Sequence, residues 1–425
     1  MSRWGNLFIV LALVLAFAPV PPGRAQTGIE CDQYGLHANG AKYCITLPPD
    51  GYWNGDLILF AHGYVSVREP IDIPWDQLIL PDGNSIPSVV NGLGYAFATT
   101  SYSENGLAVV RGVIDILDLV EVFNQVVGHP NRVYLIGASE GGLVTTLAVE
   151  QHPGPFAGGM ALCAPTGGFR GQVNYWGDFR VVFDYFFPGV LPPSPVSIPE
   201  EVMDDWESVY VPSILGALAD PSNQFNVMQL LNVTQAPVDP MDPSTIPQTV
   251  LGILWYNAFA TNDGIEKLRG QPFANVFEER VKKFGTVVAY KWYFGSEDDQ
   301  ALNQGVERFM ADEAALKKIE QKYETSGRLM KPLVNLHTTG DPIVPYWHAI
   351  KYSEKVLLNG KGGAYLHLPV QRYGHCSFEL AEILGGFNWL ALQTTGIPLN
   401  FAGLPLDDAA QAKVLEFSQG VVPGE

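Results

Sequence analysis

Gly137-Ala138-Ser139-Glu140-Gly141 constrains the fold of this chain more than any other stretch. It follows directly on the apolar run Arg132-Val133-Tyr134-Leu135-Ile136 and leads into Leu143 to Glu150, a helical segment. A strand that turns into a helix this abruptly brings its turn close to both neighbours. Glycine is then required at the flanking positions, because a side chain there collides with strand or helix. The G-x-S-x-G spacing holds the central serine on a tight, strained bend with its hydroxyl exposed. Gly142 adds further room for close packing.

The same alternation recurs along the chain. Asp56 to Ala61, Gly94 to Thr99, Gly159 to Cys163, Leu333 to His337 and Tyr365 to Pro369 are short runs, apolar on both faces. Such runs suit a buried parallel sheet. Between them, Ala108 to Val127 places Val109, Val113, Ile116, Leu117, Val120 and Phe123 at helical spacing. A further helix is predicted over Phe378 to Leu392. This alternation predicts an α/β fold, with a mostly parallel central sheet and helices on both faces.

The alternation stops between Ala164 and Lys331. That stretch is rich in aromatics and proline, as in Tyr175-Trp176, Phe183-Asp184-Tyr185-Phe186-Phe187-Pro188 and Leu191-Pro192-Pro193. Helices are predicted around Glu200 to Leu218, Ile246 to Phe259 and Leu302 to Tyr323. We read residues 166–330 as a large, mainly helical cap or lid, inserted into a core made of residues 26–165 and 331–425.

Hydrophobic residues make up 47% of the 425 and charged residues 16%, which excludes a disordered chain. The net charge of −19 disfavours contact with nucleic acid. At the amino terminus, Arg3 precedes the apolar run Leu7 to Val20, and Gly23-Arg24-Ala25 follows. This is the pattern of a signal peptide over residues 1–25, cleaved after Ala25. About 14 apolar residues are short of the roughly 20 that a membrane-spanning helix needs. The expected product is secreted or periplasmic, with no membrane association after cleavage. In such a compartment Cys31 and Cys44, which flank a loop containing Gly35, Asn39 and Gly40, are expected to be bridged.

A serine hydroxyl is a poor nucleophile without a base. The base belongs after the last strand and a supporting carboxylate after the strand before it. Asp341 lies in a Gly-Asp-Pro turn just past the Leu333–His337 run, and His375 follows the Tyr365–Pro369 run. The order Ser139, Asp341, His375 is the one this sheet topology demands. His375 takes the proton of Ser139, and Asp341 holds the imidazole tautomer. Of the eight histidines, His348 is the main competitor for the base, on a predicted helix after Asp341. His37 is too near the amino terminus, His129 and His152 precede prolines, and His337 and His367 lie within strands. Asp298-Asp299 and the cap carboxylates read as solvated surface. An oxyanion hole needs two convergent backbone N–H groups. Glu140 supplies one and Tyr64, after His62-Gly63, the other. His62 buttresses that loop, and the Tyr64 phenol is placed to line an acyl pocket. Cys163 and Cys376 each end a strand or catalytic loop. They form a bridge near the site or remain two buried thiols, and the residues leave both readings open.

Phe60-Ala61-His62-Gly63-Tyr64, Gly137 to Gly142, Gly340-Asp341-Pro342-Ile343-Val344-Pro345 and Gly374-His375 together resemble the α/β-hydrolase superfamily. The resemblance covers most of residues 45–165 and 330–395. Within it, the chain is most similar to secreted esterases and to the peptidase-like branch with a large cap. Cys376 beside His375 is similar to tannases and feruloyl esterases, where that cysteine bridges one next to the serine. Here Ala138 precedes Ser139, so any partner must come by another route, such as Cys163. The resemblance implies a secreted serine hydrolase that cleaves small-molecule or polymer esters through an acyl-enzyme on Ser139, and the aromatic cap points to a bulky or aromatic substrate. The alternatives are a secreted exopeptidase or amidase, with Glu200, Glu201, Asp204 or Asp205 binding an amine, and a non-catalytic binding protein. No H-E-x-x-H, zinc-spaced cysteines, dinucleotide fingerprint or phosphate loop occurs in the sequence. The triad chemistry needs neither cofactor nor metal.

Overall fold

The computed structural model describes residues 28–276, 290–291, 297–404 and 406–420. The expected leader and its cleavage site at Ala25 lie outside the described residues. The strands are β1 (Gln33–Leu36), β2 (Lys42–Thr46), β3 (Asp56–Ala61), β4 (Ala96–Thr100), β5 (Arg132–Ala138), β6 (Gly158–Leu162), β7 (Leu333–Gly340) and β8 (Tyr365–Tyr373). They form one sheet in the order β1-β2-β4-β3-β5-β6-β7-β8. From β4 to β8 every pairing is parallel, while β1 and β2 run antiparallel at one edge. The six apolar runs are the six parallel strands. The edge hairpin is additional, and the Cys31–Cys44 disulfide ties it down.

Strand alternation sorts the core into two layers. Leu57, Leu59, Val133 and Leu135 face helices α2 (Val109–Val126) and α3 (Glu140–Gln151). Ile58, Phe60, Tyr134 and Met160 face the other way, toward α1 (Ile86–Gly92) and α12 (Leu380–Thr395). The final helix α13 (Asp408–Ser418) packs on α12.

Between β6 and β7 the chain leaves the sheet and builds a helical layer. Its helices are α4 (Phe169–Phe186), α5 (Glu200–Asp204), α6 (Val211–Ala219), α7 (Gln224–Thr234), α8 (Thr245–Leu268), α9 (Glu297–Gly305) and α10 (Glu313–Lys322). Helix α11 (Trp347–Leu358) follows β7. The insertion has an apolar core of its own, including Phe179, Phe183, Ile214, Leu230 and Leu254. Ile343 and Val344, from the loop after β7, join it. The predicted helix Glu200 to Leu218 is broken at a π-type turn, Trp206–Tyr210, just before Pro212. Proline lacks the N–H that continues an α-helix. Leu302 to Tyr323 is likewise two helices rather than one. Asp298 is exposed as expected, but its neighbour Asp299 is buried within α9.

Candidate active site

Ser139 sits between β5 and α3 with φ +55° and ψ −120°. A non-glycine residue in that region is strained and persists only when its surroundings hold it. Here its N–H donates to Leu162 O in β6 at 2.9 Å. The flanking glycines are sterically required. A Cβ on Gly137 would lie 2.1 Å from Gly141 O, and one on Gly141 would lie 2.0 Å from Ala61 O. At Gly142 it would lie 2.5 Å from the Ala164 Cβ.

The loops after β7 and β8 meet at this turn. Ser139 Oγ lies 2.9 Å from His375 Nε2, and His375 Nδ1 lies 2.7 Å from Asp341 Oδ2. A carboxylate only accepts, so Nδ1 carries the imidazole proton and Nε2 accepts from the serine hydroxyl. Asp341 is fully buried. Its Oδ1 accepts from the backbone N–H of Ile343 and of Val344, both at 2.9 Å, which fixes the carboxylate plane. His337 Nε2 donates to Val344 O at 2.8 Å and stands 3.7 Å from Asp341 Oδ2. Burial lowers its pKa and favours the neutral form.

Gly63 brings the loop after β3 alongside. A Cβ there would lie 3.3 Å from Ser139 Cβ. Among the described residues, neither the Tyr64 nor the Glu140 N–H has a protein acceptor. The Glu140 N–H also belongs to the first turn of α3, where the helix dipole favours negative charge. Gln77 clamps the Tyr64 loop: its Oε1 accepts from Gly63 N–H at 2.7 Å, and its Nε2 donates to Tyr64 O at 3.3 Å. His62 is buried, stacks on Tyr102 with ring centroids 3.9 Å apart, and contacts Gly63 O through Nδ1. Burial lowers its pKa to about 4. Glu140 is buried as well, and Oε1 accepts from Ala108 N–H at 2.6 Å. Desolvation, with Asp263 and Glu104 nearby, raises its pKa to about 8 against the opposing effects of that hydrogen bond and Lys267.

The remaining sequence candidates sort clearly. His348 is buried on α11, 2.8 Å from Gln172 Oε1 and remote from Ser139 in hydrogen bonding. His129 and His152 are exposed. Cys163 and Cys376 are bridged, which closes the alternative the residues left open. Cys376 Sγ lies 3.6 Å from His375 Nε2. Cys163, His375 and Cys376 are the one metal-like cluster among the described residues, and its two sulfurs are bonded to each other. Glu200, Glu201, Asp204 and Asp205 are exposed, and Asp204 pairs with Arg68. None of them lines a cavity at Ser139.

Helix α4 carries site residues that sequence reasoning passed over. Gln172 Nε2 and Trp176 Nε1 both donate to Ile343 O, at 2.8 and 3.1 Å. The Tyr175 hydroxyl donates to Pro342 O at 2.9 Å. The insertion therefore holds the loop that carries Asp341. The Tyr64 hydroxyl donates to Phe259 O in α8 at 3.0 Å, a second tie between insertion and sheet.

Two cavities meet at Ser139, and Tyr64 and Tyr256 line both. One, of about 90 Å³, lies under the insertion against Phe169, Val173, Trp176, Ala260, Phe273 and Val344. The other, of about 340 Å³, lies between the sheet and helices α1 and α12. Its wall includes Ile136, Val89, Ile383, Leu384 and His375. Among the described residues, no lysine, arginine or aspartate stands in either wall.

The prolyl oligopeptidase family model matches residues 90–166, the part that contains Ser139. No curated protein matches the chain in sequence. Among solved structures, Pyrococcus horikoshii acylaminoacyl peptidase is 11% identical, with a TM-score of 0.42 over 90% of this chain and 43% of that one. The chain spans well under half the length of the acylaminoacyl peptidases it matches, 36% and 43%. Candida antarctica lipase A is 14% identical, with a TM-score of 0.43 over 91% and 84%. An esterase of Pyrococcus furiosus is 12% identical, with a TM-score of 0.41 over 94% of both chains. With a parallel sheet in this strand order, a serine on the turn after the fifth strand, and an aspartate and a histidine delivered to it by the loops after the seventh and eighth, the chain has an α/β-hydrolase fold.

Proposed function

We propose that the chain is an exported serine hydrolase that cleaves carboxylic esters of bulky or aromatic type through an acyl-enzyme on Ser139. His375 Nε2 takes the Oγ proton as Oγ attacks the ester carbonyl. The oxyanion accepts from the N–H groups of Tyr64 and Glu140. The tetrahedral species collapses, the alcohol leaves with the proton held by His375, and the acyl group stays on Oγ. Water then enters, gives its proton to His375, and releases the acid by the same steps in reverse.

The observation that carries the ester reading is the chemistry of the two walls. An exopeptidase must recognise a charged terminus, and among the described residues both cavities at Ser139 lack fixed charge beyond the triad. Glu140 is the one further carboxyl among the described wall residues, and burial raises its pKa to about 8. Burying an ammonium against such walls is costly, whereas apolar arms of an uncharged ester enter favourably. Trp176, Tyr256 and Phe273 supply faces for rings. Export is supported by two disulfides, which persist in oxidising compartments.

The test is initial-rate hydrolysis of p-nitrophenyl esters, short to long and aromatic, beside aminoacyl p-nitroanilides, with Ser139→Ala as control. Turnover of esters that vanishes in Ser139→Ala is the expected result. Faster turnover of an anilide overturns the ester reading in favour of a peptidase or amidase.

A further inference from the structure

The two cavities at Ser139 differ in where they lie relative to the base. His375 stands in the wall of the chamber between the sheet and helices α1 and α12, and is absent from the wall of the chamber under the insertion. The leaving oxygen must receive its proton from His375 Nε2, so the group attached to that oxygen departs on the histidine side. We propose that the two chambers divide the substrate at its ester bond: the alcohol chain lies between the sheet and α1 and α12, and the acyl chain lies beneath the insertion. This division rests on the ester reading above.

The sheet-side chamber is an unusual feature of a folded core. Ile136 is central in β5, paired with Phe60 of β3 on one side and Met160 of β6 on the other. A residue so placed is expected to be fully buried, yet Ile136 is only half-buried. Its free surface opens into the chamber. Val89 and Leu93 on the α1 side, and Ile383 on α12, are half-buried and line the same space. An unfilled apolar void costs stability in proportion to its volume, and such cavities take up apolar ligands. At about 340 Å³, this one falls within the roughly 300–1,000 Å³ usual for a ligand site. Both walls mix aliphatic side chains with rings: Phe60, Phe378 and Phe387 stand in this one, and Phe169, Trp176 and Phe273 in the chamber under the insertion. The sheet-side chamber is the larger of the two, so the alcohol is the larger part of the ester and the acyl part the smaller.

A pair of isomeric esters separates the two chambers at equal composition. Decyl acetate puts its chain on the alcohol, and ethyl decanoate puts it on the acid. The measurement is kcat/KM for each, by titration of released acid. Val89→Phe narrows the sheet-side chamber and Ala260→Phe narrows the other. Val89→Phe is expected to lower the ratio of decyl acetate to ethyl decanoate by roughly tenfold or more, and Ala260→Phe to raise it by a similar factor. Ile86→Phe is the second wedge on the α1 side should Val89→Phe fail to fold by circular dichroism. If folded wedges leave the ratio where the wild type has it, or move it the opposite way, the division is wrong. A wild-type protein that hydrolyses no ester sinks the ester reading and the division together. An active wild type with an unmoved ratio sinks the division alone.

Discussion

Asp341 joins two tasks in one carboxylate. Oδ1 takes two backbone N–H groups of its own loop, and Oδ2 takes the imidazole. In Asp341→Asn the amide can present N–H to His375 Nδ1, which forces the wrong tautomer. The expected loss is roughly 10⁴-fold in kcat with the fold retained, read by ester kinetics beside a thermal melt. Glu140 makes a different prediction, about pH and stability. Its folded pKa, about 8, lies above the value for an exposed glutamate. The protonated form is the one the fold tolerates, so this stability is fully present below about pH 4.5 and is lost as pH rises through 8. Glu140→Gln should flatten the fall in urea midpoint between those limits. An unchanged slope would refute the burial argument. Ser139, Asp341 and His375 were legible because each sits in a short local motif at the end of an apolar run. Gln77 and Gln172 were not. Their partners lie 14 and 171 residues away, and an amide on a loop or helix carries no spacing that announces a contact.

At the scale of elements, the site depends on loops held by their neighbours. Gln77 anchors the loop after β3, and replacing it with Leu leaves the Gly63 N–H without its acceptor. We expect Gln77→Leu to lower kcat by roughly tenfold, since it loosens the loop that carries an oxyanion donor, and to shift KM as well, because Gln77 also stands in the wall of the sheet-side chamber. Helix α4 does the same for the acid loop. Gln172→Leu removes bonds to Ile343 O and His348 together, at an expected cost of about 1–3 kcal/mol in urea unfolding. The parallel strands were readable because burial on both faces leaves continuous apolar runs. The β1–β2 hairpin was not, since β1 is four residues long and largely exposed. Nor was α1, whose seven residues include Pro87 and Gly92 and are too few to show a period.

Across the whole molecule, two layers share one site: the sheet supplies the triad and the insertion holds its acid loop and roofs one chamber. The disulfides act at different ranges. Cys31 and Cys44 are 13 residues apart, and Cys163 and Cys376 are 213 apart. In the chain-entropy account, the longer loop gives the larger stabilisation, roughly 5 kcal/mol against roughly 3. A Cys163→Ser, Cys376→Ser double variant should thus lose more stability in urea than Cys31→Ser with Cys44→Ser.

The 163–376 bridge has one more effect, on damage rather than on folding. It closes a covalent ring around the entire helical insertion. Ser139 lies before the ring, and Asp341 and His375 lie within its far arm. A protease that cuts a loop of the insertion therefore cannot separate the serine from its partners. The nicked molecule stays a single species on a non-reducing gel and parts into two only when a thiol is added. That ring lets the molecule be cut within its helical insertion and still keep Ser139, Asp341 and His375 on one covalent body.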